Sequence, residues 1–331
     1  MALNPIDEVH ALQIQAGILG RKAGHSFEDR IAQKLNSLAY PRHLPAAEAG
    51  HVFTGNPAII LVDYIGKSYR KSVIKRVLAI STGALATSEE GLHWLNINGV
   101  TVKKCKSDLV ITFEWDKGDA TTVGVSTKQC NNKTPTNAQL YFTTAVGFSN
   151  LLIRNELPVS AAAITSLKQF CGDVGYRPMD DAESLHGRLS DPRRWFWEEI
   201  NTAGRTEWEN ILSTRQDDVS RLLFQKAYLD DPFAPDFLLH KTKRSTGWNT
   251  TEVAVYGIDE LLQLSSAYGG FSKKPYSVKK GSHKDPPGVQ HDAPRFGIIQ
   301  MQRAGQAQHP TQLQFNLEAV KCSPLPRQFF G

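Results

Sequence analysis

The sequence predicts an α/β or α+β protein, and three observations carry that expectation. Residues 107–129 alternate apolar and polar positions on either side of a Gly118 turn, as a β-hairpin does. Phe27, Ile31 and Leu35 recur every four residues, the spacing of one apolar helix face. In 312–319, Leu313, Phe315 and Leu317 alternate with Gln312, Gln314 and Asn316, a strand signature far along the chain. Strands and helices interspersed in this way argue against a helical bundle or a β-sandwich.

Taken in order, residues 5–37 are predicted helical, with Ser26 as a cap and Asp29 at the third helical position. Residues 57–80 are predicted as one or two helices. Lys67, Lys71 and Lys75 fall four apart there, with Arg70 and Arg76 beside them, so one face is basic; it is either solvated or tracks a phosphate backbone. After the hairpin, 137–154 is predicted as a helix lying on the sheet. Residues 181–230 are predicted mostly helical, with Trp195, Trp197 and Trp208 available for packing. A strand at 252–256 precedes a helix near 259–266. Residues 272–294 are basic, with Pro and Gly, and read as a loop around a short strand. Two more strands follow.

At 331 residues, 40% hydrophobic and 21% charged, the chain has room for a substantial core. It contains no run of about 18 apolar residues, so no membrane partner is expected. The N-terminal MALNPIDEVHALQIQ has early acids and no basic n-region, so no signal peptide is expected. Cys105, Cys130, Cys171 and Cys322 are far apart with no CxxC pair, which suits a reducing, cytoplasmic setting. The net charge is +5, and Lys241 to Gly331 holds twelve Lys or Arg against six Asp or Glu. A basic C-terminal third suits either a solvated surface or a polyanionic partner, nucleic acid first.

The hairpin also carries chemistry. Leu109, Ile111, Phe113 and Trp115 share one face with Val123 and Val125. Pairing symmetric about Gly118 would set Asp108 opposite Lys128 and Val110 opposite Ser126. Asp108, Ser126 and Lys128 would then gather at the open end on the other face. An ordinary surface ion pair at a hairpin end would have the same composition.

Asp108, seventeen residues, then Ser126-Thr127-Lys128 resembles the PD-(D/E)XK nuclease motif, and VGVSTKQCNN resembles the SxK variant of type II restriction endonucleases. GHSFEDRIAQKL resembles that superfamily's first core helix, in which Glu28 matches a site glutamate. Ser107 departs from the family's Pro, and Ser126 from its second acid. The resemblance implies a mixed central β-sheet flanked by helices, with helical and β elaborations. Residues 1–160 would hold the catalytic core with a helical insertion and 161–331 an elaboration for DNA recognition, unless the two form one continuous domain. It also implies a prokaryotic enzyme and, because a palindromic duplex has two equivalent strands, a homodimer.

Phosphodiester hydrolysis needs a nucleophilic water and relief of charge on the phosphate, which a hard divalent ion supplies. The resemblance makes Asp108 the central ligand of Mg²⁺, with Mn²⁺ able to substitute. Glu28 would be a second ligand and the Thr127 backbone carbonyl a further oxygen. Lys128 would orient the attacking water and offset negative charge, with Ser126 supporting. A first-turn acid such as Glu28 is also what a helix dipole favours on its own.

For double-stranded DNA, the amides Gln129, Asn131 and Asn132 suit base edges and Lys133 suits phosphates. Gln300, Gln302 and Arg303 form a second candidate reading edge, with Gln306 and Gln308 in the next turn. Lys273, Lys274, Lys279, Lys280 and Lys284 would clamp the backbone, and Lys241, Lys243 and Arg244 form another basic cluster. No GxxxxGK[ST] or GxGxxG loop is present, so no nucleotide cofactor is expected, and no GxSxG elbow occurs. Cys130 has a basic setting but no identified histidine partner. The expectation is therefore a magnesium-dependent type II site-specific deoxyribonuclease. Two alternatives stay open: a structure-specific repair or junction nuclease of the same superfamily, or a non-catalytic DNA-binding protein with a degenerate nuclease core.

Overall fold

The computed structural model describes residues 26–46, 50–82, 95–102, 105–134, 137–188, 191–226, 231–276, 286–303, 311–318 and 328–329. They belong to two compact units. The first draws on the described parts of Leu19–Ala138, Phe224–Leu261 and Glu318–Gly331; the second on Gln139–Leu223 and Leu262–Leu317.

The first unit is built on an eight-stranded mixed sheet. Across it run Arg42–His43, Val73–Ser81, Leu109–Trp115, Thr121–Gln129, Pro235–Lys241, Thr251–Gly257, Val52–Gly55 and Gln328–Phe329. Leu109–Trp115 pairs antiparallel with both Val73–Ser81 and Thr121–Gln129, whereas Thr121–Gln129 meets Pro235–Lys241 in parallel. Helix 26–36 lays Phe27, Ile31 and Leu35 on one face, joined by Leu61 and Ile65 of the helix Pro57–Ser68. Beneath them lie Leu109, Ile111, Phe113, Val123 and Val125, the odd-numbered face of the hairpin. On the even face, Val110 packs with Ile97 and Val102. Both faces being covered explains why Leu109, Val110 and Ile111 are all buried.

The second unit has a five-stranded sheet in the order Phe271–Tyr276, His291–Phe296, Ile299–Arg303, Gln312–Leu317, Ala138–Thr144. Leu313, Phe315 and Leu317 are fully buried on it, as their alternation predicts. Trp197 and Trp208 are buried too, with the Trp208 indole N–H donating to the Ala163 carbonyl oxygen at 2.7 Å. No helix among the described residues is long and apolar enough to cross a membrane.

Several expectations are corrected. Residues 57–80 are not all helical: the helix Pro57–Ser68 is capped by Asn56, stops where Arg70 takes φ 54°, and gives way to the strand Val73–Ser81. Lys67, Lys71 and Lys75 therefore share no helical face; the Lys71 ammonium donates instead to the Lys117 carbonyl oxygen at 2.9 Å. Residues 137–154 divide into the strand Ala138–Thr144 and the helix Ala145–Ile153, because the Thr144 hydroxyl oxygen accepts from the Gly147 amide and starts the helix there. Ser26 lies within its helix rather than capping it. In 272–294, two strands, Phe271–Tyr276 and His291–Phe296, pair antiparallel.

The hairpin register is also corrected. Leu109 pairs with Val125 and Phe113 with Thr121, two residues from the expected alignment. The pairing is centred on Lys117, and Gly118, one residue later, takes the positive φ of 87° that closes the turn. A shift of two leaves every side chain on its expected face.

Gly124 sets the join between hairpin and parallel strand. Its amide donates to Asp236 Oδ2 at 2.9 Å. A Cβ there would meet the Ala234 and Phe233 carbonyl oxygens at 2.6 and 2.8 Å, and the Ser107 hydroxyl closer still. Gly124→Ala is therefore expected to destabilise the fold by about 1–3 kcal/mol. Urea unfolding indistinguishable from the parent would show that this backbone approach is not tight.

Candidate active site

The site forms where Asp108 enters its strand. The Asp108 amide donates to the Val125 carbonyl oxygen at 2.8 Å, and the Thr82 amide donates to the Asp108 carbonyl oxygen at 3.0 Å. A residue gripped by strands on both sides has a fixed side-chain origin. Asp108 Oδ2 then accepts from the Thr127 amide at 2.6 Å and from the Ser126 hydroxyl at 3.2 Å. The Lys128 ammonium lies 3.7 Å from the same oxygen and donates to Ser126 Oγ at 3.0 Å and to the Thr127 carbonyl oxygen at 2.7 Å.

The Thr127 side chain faces the helix side of the sheet, where its hydroxyl donates to Glu28 Oε1 at 2.7 Å. Glu28 is 6% exposed, in the apolar layer that its neighbours Phe27 and Ile31 build. Burial, and next the charge of Asp108, push its carboxyl up to about 8, against the Thr127 hydrogen bond and Lys128. One residue, Thr127, thus holds both acids, one by its amide and one by its hydroxyl.

Among the described residues, no group of three or more His, Cys, Asp and Glu side chains could hold a metal ion. The donors present, two carboxylates that repel one another and the Thr127 carbonyl that also accepts from Lys128, are oxygen groups of the kind a hard cation takes. Magnesium sites commonly use only one or two protein carboxylates, with water and substrate oxygens completing the shell.

Two neighbours carry little signal in the sequence. Lys106 is half-buried, and burial together with the Lys128 charge lowers its ammonium to about 7; its amide donates to Asp231 Oδ2 at 2.6 Å. His240 pairs with Lys128 across the parallel strands. It is 1% exposed, and burial and Lys128 hold its imidazole neutral, lowered to about 4. Its Nε2 has no hydrogen-bond partner among the described residues. The one sequence signal for it is a histidine ending the apolar run FLL after Pro235.

Gln129 is half-buried at the end of the site strand, whereas Asn131, Asn132 and Lys133 are exposed just beyond it. Asn131 Oδ1 accepts from the Lys241 ammonium at 3.3 Å. Gln300, Gln302 and Arg303 belong to the second unit. Gln300 and Gln302 are half-buried on their strand. Arg303 is 8% exposed beside Gly172, so its guanidinium meets protein rather than solvent. The Lys273 ammonium lies 2.8 Å from Asp292 Oδ2 in an ion pair. Lys279, Lys280, Lys284, Gln306, Gln308 and Cys322 lie outside the described residues. Cys105, Cys130 and Cys171 are not joined in disulfides among the described residues.

No family model matches the chain. No curated protein matches it. Among solved structures it is similar to the crystal structure of the restriction endonuclease MspI in complex with its cognate DNA, with a TM-score of 0.42 and 11% identity over 78% of this chain and 77% of that one.

Proposed function

We propose that this chain is a nuclease that hydrolyses phosphodiester bonds of double-stranded DNA with magnesium, of the type II restriction kind and acting as a homodimer. The observation that supports it is the convergence on Thr127: two carboxylates and an ammonium from three separate positions meet around one strand residue. Manganese is expected to replace magnesium.

A bound divalent ion would supply Lewis acidity at the scissile phosphate and a nucleophilic water near neutral pH. The chain's own residues do the rest. Asp108 and Glu28 supply negative charge to hold the ion, and the Thr127 amide and hydroxyl fix where each carboxylate sits. The Lys128 ammonium is positioned by Ser126 Oγ and the Thr127 carbonyl oxygen, so its positive charge is in place before substrate arrives. His240, neutral beside Lys128, adds no competing charge.

The test is digestion of a long phage duplex with Mg²⁺ and with EDTA, followed by run-off sequencing of the ends. Discrete fragments with one shared end sequence are expected with Mg²⁺ alone. Cuts that follow junctions or damage rather than sequence would favour the repair-type nuclease. Binding without any cutting would favour a non-catalytic DNA-binding protein, a reading that the two-acid site keeps in view.

A further inference from the structure

The strand bearing Ser126 and Lys128 ends at Gln129, and a cleft of about 310 Å³ opens there. Ser26 and Arg30 line it from helix 26–36, Gln129 and Lys241 from the ends of two parallel strands, and Trp248 and Thr251 from the segment that follows. Two of these residues are cations, and none of the described lining residues carries a carboxylate. The Arg30 guanidinium lies 4.2 Å from the centroid of the Trp248 ring, and Phe27 meets that ring edge-on at 5.5 Å. Stacking on an aromatic face fixes the plane of a guanidinium while sparing its N–H fork for an oxyanion.

Lys241 sits across the cleft. Its ammonium touches the neutral Asn131 amide, and burial and nearby Arg244 both disfavour its charge. Among the described residues neither Arg30 nor Lys241 has an acidic partner. Two cations in a concave site without counter-charge concentrate positive potential, and an anion relieves it. The remaining polar lining groups, the hydroxyls of Ser26, Ser245, Thr246 and Thr251 and the Gln129 amide, suit phosphate oxygens. Arg30 covers one face of the Trp248 ring, and the two cations with the hydroxyls and amide around them favour the charged part of a nucleotide as the occupant.

We propose that this cleft seats a second phosphodiester of the bound DNA strand, beside the one that reaches Asp108. The polymer's identity rests on the nuclease reading; the oxyanion chemistry does not.

The test is an Arg30→Gln, Lys241→Gln double variant, with binding of a labelled duplex followed by fluorescence anisotropy in EDTA over a salt series. Affinity is expected to fall about tenfold, and the slope of log affinity against log salt to shrink by about two, one for each cation neutralised. Lys241→Arg in the Arg30-intact protein should keep the parental slope, and the thermal midpoint of each variant reports its folding. A folded double variant with parental affinity and slope overturns the proposal, as does a parent protein that binds no duplex. Inorganic phosphate at matched ionic strength should compete no better than chloride. Strong competition that needs Arg30 and Lys241 would mean a free-phosphate pocket and overturn the strand contact. Cleft-dependent binding by a protein that never cuts with Mg²⁺ would leave this proposal standing and remove the nuclease reading.

Discussion

Replacing Asp108 with asparagine is expected to lower magnesium-dependent cleavage about a thousandfold or more while leaving the fold intact. Asparagine keeps an acceptor oxygen for the Thr127 amide and Ser126 hydroxyl but removes the charge that would hold a cation. Alanine would also strand the Thr127 amide, which adds about 1–3 kcal/mol of instability and confuses the result. Lys128→Ala is expected to cost cleavage about a hundredfold or more, with Lys128→Arg a poor substitute, because the compact ammonium fits between Ser126 Oγ and the Thr127 carbonyl oxygen. Duplex binding in EDTA should survive in both, slightly tightened for Asp108→Asn by the lost negative charge. Single-turnover cleavage assays decide it: a parental rate in either variant removes that residue from the site.

Glu28 gives the second large effect, on stability. In the unfolded chain its carboxyl ionises near 4.5, whereas in the fold it is pushed up to about 8, first by burial and then by Asp108. Between those values the folded protein holds a proton that the unfolded chain has released, so stability falls as pH rises through that window. The loss is at most about 1.4 kcal/mol per pH unit and levels off above the folded value. Metal-free protein should therefore lose stability from pH 5 to pH 8 relative to Glu28→Gln, which carries no titrating group. Near pH 8 the variant should be the more stable of the two by about 2 kcal/mol or more. Urea unfolding in EDTA at several pH values gives the difference directly, and a difference that stays flat with pH would show that Glu28 is not held protonated. Added Mg²⁺ should stabilise the parent at pH 8 more than the variant.

The grouping of Asp108, Ser126 and Lys128 is more legible in the sequence than the architecture around it. Asp108, Ser126 and Lys128 lie within one hairpin, where face alternation carries positional information over a few residues, and a two-residue register shift leaves that information intact. The register itself is hidden because a glycine in a turn does not mark the apex; Gly118 supplies its positive φ one residue past the centre of the pairing. The strand Val73–Ser81 reads as helix because no proline or glycine stands between it and the last turn of the helix before. The break is made by Arg70 in a left-handed conformation that its residue type rarely signals. Ala138–Thr144 merges with the following helix in sequence because only the hydrogen bond from the Gly147 amide singles out Thr144 as a cap among neighbouring threonines. His240, Lys106 and the Arg30–Trp248 stack could not be assembled from sequence, since strand pairing and helix docking bring them together from distant segments.

The parallel pairing of Thr121–Gln129 with Pro235–Lys241 joins stretches more than a hundred residues apart. A nascent chain that has delivered only the hairpin would present its reactive strand as an open edge, the kind of surface that invites mispairing. The cleft partner Lys241 arrives with the same late segment. On the ribosome, then, the parts of the candidate site and its neighbouring cleft would come together only after most of the polypeptide has been made, and a prematurely terminated product would be sticky rather than complete.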